Sequence, residues 1–268
     1  MEKKFKLGVI GAGFMSSAII NGAIAGKKLS PEQIIVSDVN DCALDKMKAI
    51  GVNVTKDNYF LSNNAEFVLF AVKPQNINDV LCMINGCCCS KFISIMAGVK
   101  KDKIKSILTN AKVARCMPNT PCSIGYGAVG VDILDFDDND DINFILNLLS
   151  SFAEVVCVEE KYLNAVTGIS GSSPAYFYLF LKGIIESGVE HGLNYEEAKR
   201  LAASTMIGAG KMVTENWDKT IDELINAVCS KGGTTIEAVN VYNQNNLTDI
   251  TKRAINACVK RAGELENL

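Results

Sequence analysis

The 268-residue chain has one histidine, His191, and no pair of cysteines spaced C-x-x-C. With a single imidazole, a zinc centre built on histidine is left without ligands. Redox chemistry at a carbonyl, which usually needs a positioned acid–base residue, lacks its commonest agent. His191 itself lies in Gly188-Val-Glu-His-Gly-Leu193, where a helix C-terminal cap accounts for it. Ten cysteines are present and three of them, Cys87, Cys88 and Cys89, are consecutive. Adjacent residues seldom present three thiolates to one metal, and a disulfide framework belongs to short secreted chains. All ten are therefore read as reduced thiols packed as small apolar residues, with no metal and a cytoplasmic location.

Long apolar runs are also missing. A membrane span needs roughly 18 apolar residues, and the longest candidate, 175–185, is short and interrupted by Lys182. The start, MEKKFKLGVIGAGFM, puts basic residues before an apolar run but breaks into glycines at once, so it reads as a buried strand and turn rather than a leader. The net charge of −3 is spread over interspersed signs. Phosphate neutralisation needs clustered Lys and Arg, so neither nucleic acid nor a membrane is expected as a partner.

What is present is a division in pattern. Short apolar or β-branched runs at 6–10, 33–37, 52–54, 67–72, 92–96, 113–116, 127–131 and 155–158 alternate with helical periodicity at 14–26, 41–50, 75–85, 101–110 and 138–152. Strands separated by helices of this length predict βαβ units and a parallel sheet buried on both faces. The acidic stretch 135–141 reads as a solvated helix N-terminus, since it lacks the glycine of a calcium loop. From about Glu160 the strands vanish. Ser173 before Pro174 reads as a helix N-cap, Asn194 and Glu197 as a capping arrangement for a helix to about Glu215, and further helices fit 218–228, 235–242 and 248–265. The expected fold class is α/β, a doubly wound dinucleotide-binding domain over 1–160 followed by an all-α domain over 161–268. The helix from Pro174 is apolar on nearly every face. It must be buried all round, and a second subunit is expected to supply part of that wall.

Several segments carry chemistry. Gly11-Ala12-Gly13-Phe14-Met15-Ser16 follows the first strand and opens the first helix. Gly11 permits the tight turn, Gly13 lets backbone approach a pyrophosphate, and the helix N-terminus supplies amide donors. Asp38 ends the second strand, where an acid commonly accepts hydrogen bonds from the adenine ribose; the alternative is a helix N-terminal acid beside Asn40. Val39 follows, so no arginine clamp for a 2′-phosphate stands next to it. Ala71, Val72, Lys73 and Pro74 lie beyond the fourth strand, facing the ligand crevice of such a sheet, although a surface lysine before a proline stop would look the same. Gly232, Gly233, Thr234 and Thr235 open a helix late in the chain and combine free amides with hydroxyls, suited to a carboxylate and one polar hydrogen; a plain turn is the alternative. An imine nitrogen is far more basic than a carbonyl oxygen, so a histidine-poor site suits imine reduction, which needs mainly orientation.

Together these segments resemble the pyrroline-5-carboxylate reductase family over essentially the whole chain. The resemblance is carried by Ile10-Gly-Ala-Gly-Phe-Met15, Ala71-Val-Lys-Pro74, Met96-Ala-Gly98, Cys116-Met-Pro-Asn-Thr-Pro121, Val166-Thr-Gly-Ile-Ser-Gly171 with Pro174-Ala-Tyr176, and most specifically Ser230-Lys-Gly-Gly-Thr-Thr-Ile236. It implies a Rossmann domain, a helical domain that interlocks with its partner in a homodimer or larger assembly, and NADPH- or NADH-dependent reduction of 1-pyrroline-5-carboxylate to L-proline. It implies cofactor contacts from Ile10, Gly11, Ala12, Gly13, Phe14 and Met15, from Asp38 and Asn58, from Ala71, Val72, Lys73 and Pro74, and from Met96, Ala97 and Gly98. It places the substrate against Ser230, Gly232, Gly233, Thr234 and Thr235, with the Thr235 hydroxyl on the ring nitrogen as the catalytic contact and Asp218 nearby.

Three positions depart from the family pattern. Lys231 replaces a proline, Ser173 replaces a glycine, and Asp38-Val39 replaces residues suited to NADPH, which favours NADH. Two rival readings remain open at this level. A β-hydroxyacid dehydrogenase shares the two-domain plan but needs a lysine one to two turns into the long helix, where this chain has Tyr176-Phe-Tyr-Leu-Phe180. A non-catalytic dinucleotide-binding regulator would be expected to have lost the Gly232–Thr235 segment.

Overall fold

Apolar side chains at alternate positions of a strand face opposite sides of a sheet, and the first strand divides accordingly. A computed structural model describes residues 3–266. In β1 (Phe5–Ile10), Leu7 and Val9 enter one hydrophobic cluster, whereas Ile10 enters another. β4 (Ala65–Phe70) repeats the division, with Phe67 and Leu69 on the first side and Val68 and Phe70 on the second. A sheet buried on both faces has no solvated side, and that is why its strands read as continuous apolar runs.

The remaining elements of this part are α1 (Phe14–Ala25), β2 (Ile34–Ser37), α2 (Asp41–Ala49), β3 (Asn53–Thr55), α3 (Asn58–Asn64), α4 (Ile77–Ile84), β5 (Lys91–Ser94), α5 (Lys101–Lys105), β6 (Lys112–Pro118), β7 (Gly127–Asp132), α6 (Asn139–Ser150) and β8 (Ala153–Cys157). The eight strands form one sheet in the order β3-β2-β1-β4-β5-β6-β7-β8. Ile19 and Ile20 of α1 and Ile145 and Leu148 of α6 cover one face. Leu61 of α3, Ile77 and Leu81 of α4 and Ile104 of α5 cover the other. The first six strands run parallel in the Rossmann order, which reverses direction between β1 and β4 and opens a crevice at their carboxyl ends.

Some expectations are corrected. The sheet is not wholly parallel, because β7 pairs with β6 antiparallel. A short connection over 119–126 turns the chain straight back, which a crossover helix would have prevented. α5 stops at Lys105 rather than near 110. α3 is an addition to the expected elements, because its sequence NYFLSNN is only seven residues long, too short to show a helical period. The acidic stretch 135–141 does open α6, with Asp138 as its cap, but it is not simply solvated. Asp135 binds Lys101 and Lys105, and Asp141 binds Lys91. The ten cysteines stand unjoined, yet Cys42, Cys82, Cys88 and Cys157 are exposed rather than packed.

Beyond β8 the chain is helical: α7 (Leu163–Val166), a π-turn over Thr167–Gly171, α8 (Ser173–Glu190), α9 (Tyr195–Thr214), α10 (Ile221–Val228), α11 (Thr234–Gln244) and α12 (Leu247–Leu265). Ser173 is the first residue of α8 rather than its cap, and its hydroxyl donates to the Gly168 carbonyl at 3.3 Å. Asn194 caps α9 with Glu197 in a reciprocal box. α10 begins at Ile221 behind a Thr220–Glu223 box, which leaves Asp218 in the preceding connection. By compactness the chain divides into one unit of residues 1–174 with 258–268 and a second of 175–257. The second unit has a small core of Ile185, Ala198 and Ala202 with Leu181 against them. The expected burial of α8 on all sides is not met within one chain, since Phe177 and Leu179 are 57% and 72% exposed.

The first unit is laced by buried and partly buried ion pairs. Burial opposes ionisation of Glu66, Asp135 and Glu266, yet their basic partners hold all three below their ordinary values: Lys6 and Lys91 for Glu66, Lys105 and Lys101 for Asp135, Arg115 and Lys100 for Glu266. A carboxyl lowered on folding binds fewer protons folded than unfolded, so its contribution is complete at neutral pH and is lost as the pH falls through 4.5 and below. Thermal melts followed by circular dichroism are expected to show a midpoint at about pH 3.5 at least roughly 5 °C below that at neutral pH. An unchanged midpoint would contradict this.

Candidate functional site

Four strand ends meet at the crevice. The Gly11 amide donates to the Ser37 carbonyl at 2.8 Å, the Ala71 amide to Ile10 at 2.9 Å, and the Ile95 amide to Phe70 at 3.2 Å. Gly11 has φ +105°, and a Cβ there would lie 2.7 Å from the Ala71 carbonyl oxygen. A side chain is excluded both by the backbone conformation and by this contact. The segment Ala71–Pro74 is thereby pressed against the glycine turn, with Lys73 exposed at its rim.

α1 starts immediately beyond. Its cap is Gly13, which offers no side-chain acceptor, and its first turn holds no acid. Nothing lies within 4 Å of where a Gly13 Cβ would be. The first turn of this twelve-residue helix therefore has neither a capping side chain nor an acid of its own, an arrangement suited to an anion. Ser16 is buried and its hydroxyl donates to the Gly13 carbonyl at 2.9 Å. Its small side chain leaves room for the helix to pack closely on the sheet.

Asp38 is tied into this turn. Its Oδ2 accepts from the Ala12 amide at 2.7 Å and its Oδ1 from the Asn40 amide at 2.8 Å. The cap of α2 is Asn40 rather than Asp38, its side chain accepting from Ala43. Beside it the Ser37 hydroxyl donates to Asn58 Oδ1 at 2.6 Å, which fixes the amide at the start of α3. Asn58 also borders an open recess shared with Thr55, Lys56, Asp57, Tyr59 and Met83. Lys56, the cation of that recess, pairs with Asp41 at 2.6 Å, and Val39 points into solvent.

On the other side of the crevice the Met96 amide donates to Ser94 Oγ at 3.4 Å. Met96 is buried, Ala97 exposed, and Gly98 has φ +73°. Two segments that carried the family resemblance, without a contact of their own assigned, come together in the fold. Asn119 accepts from the Ala128 amide at 3.0 Å and donates to Ser170 at 3.4 Å. Ser170 belongs to the π-turn, an irregularity common at functional sites. The available signal was a polar Asn119 bracketed by Pro118 and Pro121 directly after a buried strand. Burial pushes the thiols of Cys116 and Cys122 up, so neither flanking cysteine is a nucleophile.

The late glycine segment lies in the second unit. Ser230 accepts from the Gly233 amide at 3.0 Å, Gly232 has φ +71°, and Gly233 caps α11 without a side-chain acceptor. Thr234, Thr235 and Lys231 are exposed. Ser230, Gly232, Gly233, Thr234 and Thr235 thus form one turn leading into a helix. Asp218 sits apart from them in sequence, in the exposed connection before α10.

Comparison with known proteins agrees with this architecture. Residues 160–265 match the family model for pyrroline-5-carboxylate reductase dimerisation, and residues 6–98 match that for NADP oxidoreductase, coenzyme F420-dependent. The chain is 34% identical to the pyrroline-5-carboxylate reductase of Synechocystis sp. over 97% of its own length and 98% of that protein's. It superposes on a pyrroline-5-carboxylate reductase from Coxiella burnetii with TM-score 0.89 at 32% identity, covering 98% of this chain and 99% of the other. It superposes on the Plasmodium falciparum pyrroline carboxylate reductase with NADP bound with TM-score 0.86 at 26% identity, covering 99% and 100%.

Proposed function

Because this chain belongs to the pyrroline-5-carboxylate reductase family, we propose that it reduces the cyclic imine 1-pyrroline-5-carboxylate to L-proline with a reduced nicotinamide dinucleotide, the last step of proline biosynthesis. The observation that supports it best is the pair of uncapped helix N-termini, one at Gly13 beneath the Gly11–Ala71 junction and one at Gly233 in Ser230-Lys-Gly-Gly-Thr-Thr-Ile236. Each suits an anion, and the proposed reactants bring a pyrophosphate and a carboxylate. The residues present fit a dinucleotide: the space before Gly13 is open, and no acid of the first helical turn opposes a phosphate there.

When bound, the dinucleotide supplies the hydride. In this reading the amides of Gly11 to Met15 hold its pyrophosphate, Asp38 and Asn58 border its adenosine, and Ala71–Pro74 and Met96–Gly98 line the rest of the crevice. The Gly233–Thr235 amides hold the substrate carboxylate, with Lys231 adding a cation beside them. The Thr235 hydroxyl hydrogen-bonds the ring nitrogen and fixes which ring carbon is presented. That nitrogen is basic enough to carry its own proton, so no histidine or thiol is needed, which matches the buried, protonated Cys116 and Cys122. The 161–268 half serves as the dimerisation domain of a homo-oligomer. The exposed Phe177, Leu179 and Ile207 and the apolar groove between α8 and α9, lined by Phe180, Ile184, Leu201 and Met206, supply a surface for a second copy. Unjoined thiols suit a reducing cytoplasm.

Asp38 favours NADH. Its carboxylate is anchored on the Ala12 amide, so it cannot swing away freely, and a 2′-phosphate beside it would meet like charge. In steady-state assays with pyrroline-5-carboxylate, kcat/KM for NADH is expected to equal or exceed that for NADPH. A strong NADPH bias would overturn the preference, and no loss of nicotinamide absorbance with either would overturn the function. Thr235→Ala is expected to lower turnover by about tenfold to a thousandfold, the scale of losing one positioned donor. Unchanged kinetics would remove Thr235 from the mechanism.

A further inference from the structure

Arg115 is the largest fully buried side chain of the first unit, 1% exposed in the middle of β6. A guanidinium is always charged, so burying it demands carboxylates. Two supply this: Glu160 Oε1 at 3.0 Å and Glu266 Oε1 at 2.9 Å. Glu160 lies beyond β8, and its own amide is held by Asp132 at 2.6 Å. Glu266 is the residue after α12, which has returned to the first unit. The two carboxylates do not stop at Arg115. Glu160 Oε1 also accepts from the Lys101 amide at 2.8 Å, and Glu266 Oε2 pairs with Lys100 at 3.4 Å. Between these tethers and the crevice lies Gly98, whose missing Cβ would stand 3.1–3.2 Å from the Cβ, carbonyl carbon and carbonyl oxygen of Leu265. The loop after β5 is therefore clasped by the end of α12: Leu265 backbone against Gly98, and a Glu266 carboxylate shared between Lys100 and Arg115.

We propose that Leu265–Glu266 is a clasp for the Met96–Gly98 loop, with Glu266 as a positioning residue that sets how tightly the reduced dinucleotide is held. This rests on the reading of that loop as a dinucleotide contact. Among the described residues, loss of the Glu266 charge leaves Arg115 with one carboxylate and Lys100 with none, and frees the helix end from Gly98. The register of β5 on β6 depends on backbone bonds and is retained. The loop loses its restraint while the sheet keeps its form, so dinucleotide binding weakens and substrate binding does not.

The test is titration of the full chain with NADH by nicotinamide fluorescence, alongside steady-state kinetics. Glu266→Gln is expected to raise the NADH Kd about tenfold while KM for pyrroline-5-carboxylate stays within about twofold, the pattern of a lost binding restraint. Glu266→Asp, which keeps the charge, is expected to recover part of the loss. Glu264→Gln, which removes an exposed pair with Arg261 one turn earlier, is expected to bind as wild type. A Glu266→Gln protein with a lowered melting midpoint and an unchanged Kd would overturn the clasp, as would an equal effect from Glu264→Gln. Should Glu266→Gln fail to fold, Lys100→Gln tests the same tether at a half-exposed position; about threefold weaker binding supports the clasp and unchanged binding refutes it. A wild type that binds NADH without turning over leaves the clasp standing and overturns the reaction, whereas a wild type that binds no dinucleotide overturns both.

Discussion

The backbone of Gly11 lies against that of Ala71, and the crevice exists because nothing stands between them. Parallel pairing of β4 on β1 brings the two carboxyl ends level, and the absence of a Cβ at Gly11 leaves the turn after one free to close on the turn after the other, where a Cβ would stand 2.7 Å from the Ala71 oxygen. Every other crevice feature depends on that closeness. The chain leaving Gly11 must enter α1 directly, so the helix amides open onto the same gap. Asp38, at the end of the next strand, falls within hydrogen-bonding distance of Ala12.

Around this rim the protein uses buried charge where a simpler core would use apolar packing. Lys101, Asp132, Asp135, Arg115, Glu160 and Glu266 form a connected set. Burial works against the charges of Lys101, Asp135 and Glu266, and pairs of this kind often add little net stability over an apolar replacement. What they add is geometry. A buried charge left without its partner costs about 3–5 kcal/mol, so arrangements of the loop after β5, the turn after β8 and the end of α12 that strand Arg115 or Asp132 are disfavoured. Arg115 Nε lacks a partner among the described residues, which shows that even here satisfaction is incomplete.

The fold was largely legible because its signals are local. All eight strands and most helices stand out as apolar runs or amphipathic periods bounded by glycine, proline or capping residues such as Asn194. What escaped had no local signal. The antiparallel return of β7 depends on the length and turn chemistry of 119–126, not on the strand's composition. α3 is short, held by Asp57 at its start and by Leu61 in the core. Around the crevice, the glycine turn and Asp38 were visible as spacing. The partnership of Arg115 with a residue 151 positions later was not, since long-range ion pairs leave no periodicity. A lone arginine inside the apolar run KVARCM was the one available hint.

The chemistry assigned to this crevice makes the nicotinamide the source of one particular hydrogen of proline. Turnover of pyrroline-5-carboxylate with dinucleotide deuterated at the reactive nicotinamide carbon measures that transfer directly. The account predicts deuterium in proline at the ring carbon that was the imine carbon, the one next to nitrogen that does not bear the carboxylate. Proline formed without label there, from a dinucleotide carrying the deuterium on the transferred face, would contradict it.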